Sequence, residues 1–129
     1  MSAPNTVALI VISDRLQREV IQMALNRSGI DTVHVPRPRE VEDYIEKYRP
    51  AVLILDIFLQ QVNGLELLRG LKERKRLNGL PVIVVSSLGF KEVIQQAALA
   101  GARYFMVKPV DTDLLVERVQ KLMPSDDLA

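Results

Sequence analysis

Four short apolar runs, Val7–Ile12, Ala51–Leu55, Pro81–Val85 and Tyr104–Val107, divide the chain. They are continuous rather than alternating, which predicts strands covered on both faces, as in a parallel sheet. A weaker run, Thr32–Val35, follows Gly29. Helical spacing fills the intervals. Leu16, Val20, Met23, Ala24 and Arg27 share a predicted inner face over 15–27, before Ser28-Gly29. Val41, Tyr44, Ile45 and Tyr48 do so over 38–48, and Leu65, Leu68, Leu71 and Lys72 over 65–76. Ile94, Ala97 and Ala98 mark 90–100, and Leu115, Val119 and Leu122 mark 112–123. Glycine or proline stands just beyond each of these stretches, where a helix closes or cannot continue. Five βα units in a row predict an α/β fold, a doubly wound five-stranded parallel sheet with helices on both faces.

The strand ends carry the chemistry. The first run ends in Ser13-Asp14, the third strand in Asp56, the fourth in Ser86-Ser87 and the fifth in Lys108-Pro109. Parallel strands place all these ends on one rim, where open α/β sheets bind ligands. Two aspartates with water suit a hard cation such as Mg²⁺. An aspartate is also a nucleophile toward phosphorus, provided cations offset the repulsion between carboxylate and phosphoryl oxygens. Mg²⁺ and the Lys108 ammonium would supply that charge, and Ser86 a hydrogen bond to a phosphoryl oxygen. Asp14 also suits the N-cap of the first helix. Ser13-Asp14-Arg15-Leu16 follows the first strand in place of a glycine-rich loop, which argues against a dinucleotide or P-loop site.

Composition narrows the picture. With 129 residues, one domain is expected over 1–129, with a core from about 7 to 123 and flexible ends at 1–5 and 124–129. Net charge is +1, so nothing global favours nucleic acid or a membrane. There is no cysteine, and His34 is the single histidine, which excludes thiolate and multi-histidine metal sites. No apolar run approaches the ~18 residues of a membrane span. Met1–Asn5 lacks the basic region of a signal peptide, so a cytoplasmic protein is expected. Arg69, Lys72, Arg74, Lys75 and Arg76 read as a solvated helix end, where cations suit the helix dipole.

The ordered set of features resembles the receiver domain of bacterial two-component response regulators, the small chemotaxis regulator among them, from about Val7 to Met123. Ser13-Asp14 matches the family's acidic pair and Asp56 its phosphorylated aspartate. Asn63-Gly64-Leu65-Glu66-Leu67-Leu68 looks like its turn into helix 3, Ser86 its phosphoryl-reading hydroxyl, Phe105 its aromatic switch and Lys108-Pro109 its Lys-Pro pair.

The resemblance implies the flavodoxin-like strand order 2-1-3-4-5 and a signalling module rather than an enzyme. A histidine kinase, a phosphotransfer protein or a small phosphodonor would phosphorylate Asp56. Mg²⁺ would be held by Asp14, Asp56 and the backbone carbonyl of Phe58, with Ser13 as a weak outer-sphere contact. Ser86 and Phe105 would move in response, and the Lys108-Pro109 bond would be cis. The face of helix 4, strand 5 and helix 5, including Arg103, Tyr104 and Arg118, would meet a downstream protein. A monomer or weak dimer is expected, since Arg103 stands where an acid is common. Whether the chain acts alone or belongs to a longer regulator stays open.

Two departures stand out. Ser13 replaces the first acid of the pair, predicting a weak Mg²⁺ site. Gln60 stands four residues after Asp56, where proline is common, which changes loop stiffness more than chemistry. The rival is a pseudo-receiver, an interaction module of the same fold without phosphoryl chemistry. A metal-dependent phosphatase would need a second aspartate in Asp56-Ile57-Phe58, which that segment lacks.

Overall fold

The computed structural model describes residues 7–124. Of the ends expected to be flexible, only Pro124 lies within the described residues. Strands β1 (Val7–Val11), β2 (Asp31–His34), β3 (Val52–Asp56), β4 (Val82–Ser86) and β5 (Tyr104–Val107) form one sheet. Helices α1 (Arg15–Arg27), α2 (Val41–Tyr48), α3 (Gly64–Glu73), α4 (Lys91–Leu99) and α5 (Thr112–Leu122) alternate with them, and a 3₁₀ turn at Pro38–Glu40 leads into α2. The sheet order is β2-β1-β3-β4-β5, with every neighbouring pair parallel. This is the expected flavodoxin-like arrangement.

Side-chain alternation explains the continuous apolar runs. Ala8, Ile10, Ile54, Ile83, Val85 and Met106 point to one face and pack under α1 and α5. Leu9, Val11, Leu53, Leu55, Val82 and Val84 point to the other and pack under α2, α3 and α4. The three inner strands, β1, β3 and β4, therefore carry apolar residues at successive positions until they reach the rim.

Two helices settle in a different phase from the one the pattern predicts. In α1 the buried residues are Ile21 and Leu25, whereas Leu16 and Met23 are 71% and 53% exposed and Val20 is also exposed. The helix carries two apolar rows about 150° apart, and helical spacing alone cannot choose between them. The Ile21/Leu25 row wins by packing with Leu115 and Val119 of α5. In α4, Ile94 faces out, while Val93, Ala97 and Ala100 face the sheet.

Between β3 and α3, Phe58–Leu59 and Val62–Asn63 form a two-stranded antiparallel ribbon. Its turn is Gln60-Gln61, with Gln61 at φ +65°. Asn63 then caps α3, its Oδ1 accepting the Leu65 and Glu66 amides at 2.8 and 3.3 Å. Gly64 is required here. A Cβ at this position would collide with the Asp56 carbonyl oxygen and lie 2.8 Å from Ile57 Cα.

Candidate functional site

The register brings the strand ends together. Val11 lies opposite Leu55, Asp56 opposite Val85, and Ser86 opposite Val107. The segments carrying Ser13-Asp14, Asp56, Ser86 and Lys108 thus leave the sheet at its carboxyl edge.

Asp56 ends β3 and is only 1% exposed. Its Oδ1 accepts the Phe58 amide at 3.1 Å, and its Oδ2 pairs with the Lys108 ammonium. The Lys108 side chain is itself only 14% exposed, so the pair is largely shielded from water. Burial of a carboxylate is tolerated when it is paired and hydrogen-bonded, as it is here. The Lys108-Pro109 bond is cis. Just beyond it, the Val110 amide donates to Gln17 Oε1 of α1 at 3.3 Å. Gln17 thus ties the loop after Lys108 to the first turn of α1, a role its sequence position does not signal.

Ser86 is fully buried, and its Oγ accepts the Leu88 amide at 3.0 Å. Its hydroxyl proton remains able to donate elsewhere. The following loop packs closely, because a Cβ on Gly89 would lie 2.7 Å from Val107 Cγ2. Phe105 is half-buried against the α2–α3–α4 layer.

Asp14 caps α1, its Oδ1 accepting the Leu16 and Gln17 amides at 3.0 and 3.3 Å. Ser13 Oγ accepts the amide of Gln60, in the ribbon turn, at 3.3 Å. Behind it, Arg18 Nη1 lies 3.5 Å from His34 Nε2. Burial first, and the Arg18 charge second, lower the His34 pKa below its ordinary value.

Among the described residues, no group of three or more His, Asp or Glu side chains gathers here. The oxygen donors available are the Asp14 and Asp56 carboxylates and nearby carbonyls. A hard, water-rich cation such as Mg²⁺ fits that set; a metal demanding many protein ligands does not.

The sequence matches the family described as response regulator receiver domain over residues 8–120. The chain belongs to the response regulator receiver family. Receivers are phospho-accepting modules of two-component signalling, not a family of catalytic enzymes. They typically bind Mg²⁺ and work with histidine kinases or phosphotransfer proteins. This receiver is 26% identical over 120 residues to the polar-differentiation response regulator DivK of Brucella anthropi, covering 93% of this chain and 97% of that protein. It is similar to the crystal structure of a response regulator receiver protein from Pseudomonas putida, at 30% identity and TM-score 0.83, covering 93% and 99% of the two chains. It also resembles the Francisella response regulator 1452 receiver domain, at 25% identity and TM-score 0.83, covering 92% and 96%. No helix among the receiver's described residues is long and apolar enough to cross a membrane.

Proposed function

We propose that this receiver accepts a phosphoryl group on Asp56 and answers by changing its partner-binding face. The observation that carries the proposal is the buried Asp56–Lys108 pair on one rim with buried Ser86. One carboxylate oxygen of Asp56 attacks phosphorus as the P–N bond to a donor phosphohistidine, protonated on its other ring nitrogen, breaks, leaving an acyl phosphate and a neutral imidazole. Lys108 then pairs with a phosphoryl oxygen, and the Ser86 hydroxyl donates to another. Asp14, Asp56 and the Phe58 carbonyl would hold Mg²⁺, whose charge favours the incoming phosphoryl oxygens. Ser13 contributes no negative charge, so we assign a weak site.

Phosphorylation replaces one ion pair by another and biases the Ser86 loop and Phe105 between two packings. The change reaches the face of α4, β5 and α5. Phe90, Ile94 and Val107 are exposed there, and Arg118 stacks on Tyr104 with its guanidinium carbon 4.7 Å from the ring centre. We assign a downstream protein to this face. The phosphodonor protein belongs on α1. It must cover the rim to bring a histidine to Asp56, and the exposed Leu16, Val20 and Met23 row begins beside Asp14. The protein is taken to work in the cytoplasm as a monomer or weak dimer.

Intact mass after incubation with Mg²⁺ and a small acyl phosphate tests the proposal. Wild type gains one phosphoryl group, and Asp56→Asn gains none. Equal uptake by both removes Asp56 from the role. No uptake by wild type, with Mg²⁺ also failing to shift amide signals near Asp14 and Asp56, supports a pseudo-receiver instead.

A further inference from the structure

The two departures from the family pattern, Ser13 and Gln60, meet in space. They lie 47 residues apart, yet the Gln60 amide donates to Ser13 Oγ. Proline has no N–H, so a proline at position 60 could not make this bond. We propose that Ser13 and Gln60 form a latch in which Ser13 acts as a positioning residue for the Phe58 carbonyl. This rests on the phospho-acceptor function proposed above and deepens it.

The turn of the ribbon is where such a latch matters. The ribbon is only two residue pairs long, Phe58 with Asn63 and Leu59 with Val62. An isolated hairpin of that length is not stable in water. Its turn is also unfavourable. Gln61 adopts a left-handed conformation that suits glycine, and Gln60 lacks the fixed φ that would make proline stiffen the turn. One end of the ribbon is anchored, because the Gly64 amide donates to the Ile57 carbonyl at 2.7 Å and Asn63 caps α3. Leu59 packs against the core layer beneath α2 and α3, and among the described residues the Ser13 hydroxyl makes the side-chain hydrogen bond that ties the turn itself back to the β1–α1 corner. Phe58 lies on this ribbon, two residues from the turn. Its carbonyl is therefore placed at one end by Asp56 Oδ1, through the Phe58 amide, and at the other by Ser13.

Ser13 thus has an effect on Mg²⁺ that does not require it to touch the ion. A hydroxyl holding the turn keeps the carbonyl in place, whereas a carboxylate at position 13 would add charge. The two contributions are separable. Ser13→Ala removes the acceptor, Ser13→Thr keeps it, and Gln60→Pro removes the donor while stiffening the turn.

The experiment is a double-mutant cycle on the full chain, read by Gln60 amide exchange in the variants that retain that amide and by Mg²⁺ titration followed through amide shifts. Ser13→Ala is expected to speed Gln60 exchange and to weaken Mg²⁺ binding by about 2- to 10-fold, the scale of one net hydrogen bond. Ser13→Thr is expected to restore both. In a Gln60→Pro background, Ser13→Ala is expected to change Mg²⁺ affinity by less than about twofold, because the bond it would break is already gone. Three results overturn the latch: unchanged Gln60 exchange in Ser13→Ala, a loosened turn with wild-type Mg²⁺ affinity, or a full Ser13→Ala effect in the Gln60→Pro background. A wild type that shows no Mg²⁺ response overturns the phospho-acceptor proposal together with the metal half of this one. Gln60 exchange reports on the latch in either case.

Discussion

Lys108 is the residue whose removal should be felt most at the site. Its ammonium neutralises a carboxylate that has almost no contact with water. Taking one partner from a buried pair leaves an uncompensated charge, which typically costs about 3–5 kcal/mol. Lys108→Ala is expected to lose roughly 3 kcal/mol of stability in denaturant melts, and Mg²⁺ should return part of it by binding only the folded state. A Lys108→Ala protein with wild-type stability would place the ammonium in solvent. His34 offers a second test, in pH. Its folded pKa lies below the unfolded value of 6.5, so unfolding takes up a proton as the solution becomes acidic. Its contribution is fully present above that value and is lost as pH falls through the folded pKa. The denaturant midpoint should therefore fall on the acid side of neutrality, and His34→Gln should flatten that fall. The charged group facing His34 from α1 is Arg18, and among the described residues no acid lines the small niche they share with Ser13 and Gln60.

Among the elements, α1 separates burial from recognition. Ile21 is buried and Met23 is exposed, although both are apolar and two residues apart. Ile21→Ala should cost about 2–5 kcal/mol. Leu16→Glu and Met23→Glu should stay within about 0.5 kcal/mol of wild type. Those two charges should nevertheless slow phosphorylation by a donor protein while leaving the reaction with a small acyl phosphate unchanged. Equal slowing with both donors would move the docking site off α1. The same helix shows what a sequence conceals. Asp56, Ser86 and Lys108 are legible because each ends an apolar strand, and a parallel sheet has only one carboxyl rim. The phase of α1 is not legible, because rows 16/20/23 and 21/25 satisfy the helical period equally and only α5 decides between them. The phase of α4 is hidden for the same reason, with Ile94 outside and the small Ala97 and Ala100 inside. The pairing of Ser13 with Gln60 leaves no local trace at all. Each residue alone reads as a loss from the family pattern, and the contact appears only when β1 and β3 lie side by side.

Across the whole molecule, the sheet acts as a partition. Ile10, Ile54 and Val85 join α1 and α5 on one side, and Val11, Leu55 and Val84 join α2, α3 and α4 on the other. Phe105 packs into the second compartment, whereas the apolar row assigned to the donor lies on a helix of the first. A swing of Phe105 therefore disturbs packing beneath α4 without crossing the strands to α1. With a phosphoryl mimic bound, hydrogen exchange is expected to change in α4 and the Ser86–Phe90 loop and to stay nearly constant at Ile21 and Leu25. The donor would then meet the same surface before and after transfer, so release of the spent donor has to come from lost charge attraction at the rim rather than from a reshaped dock. Input on α1 and output on α4 are then free to diverge separately, because the strands stand between them. Only α5, which packs beside α1 yet carries Arg118 on the target face, ties one set of substitutions to the other.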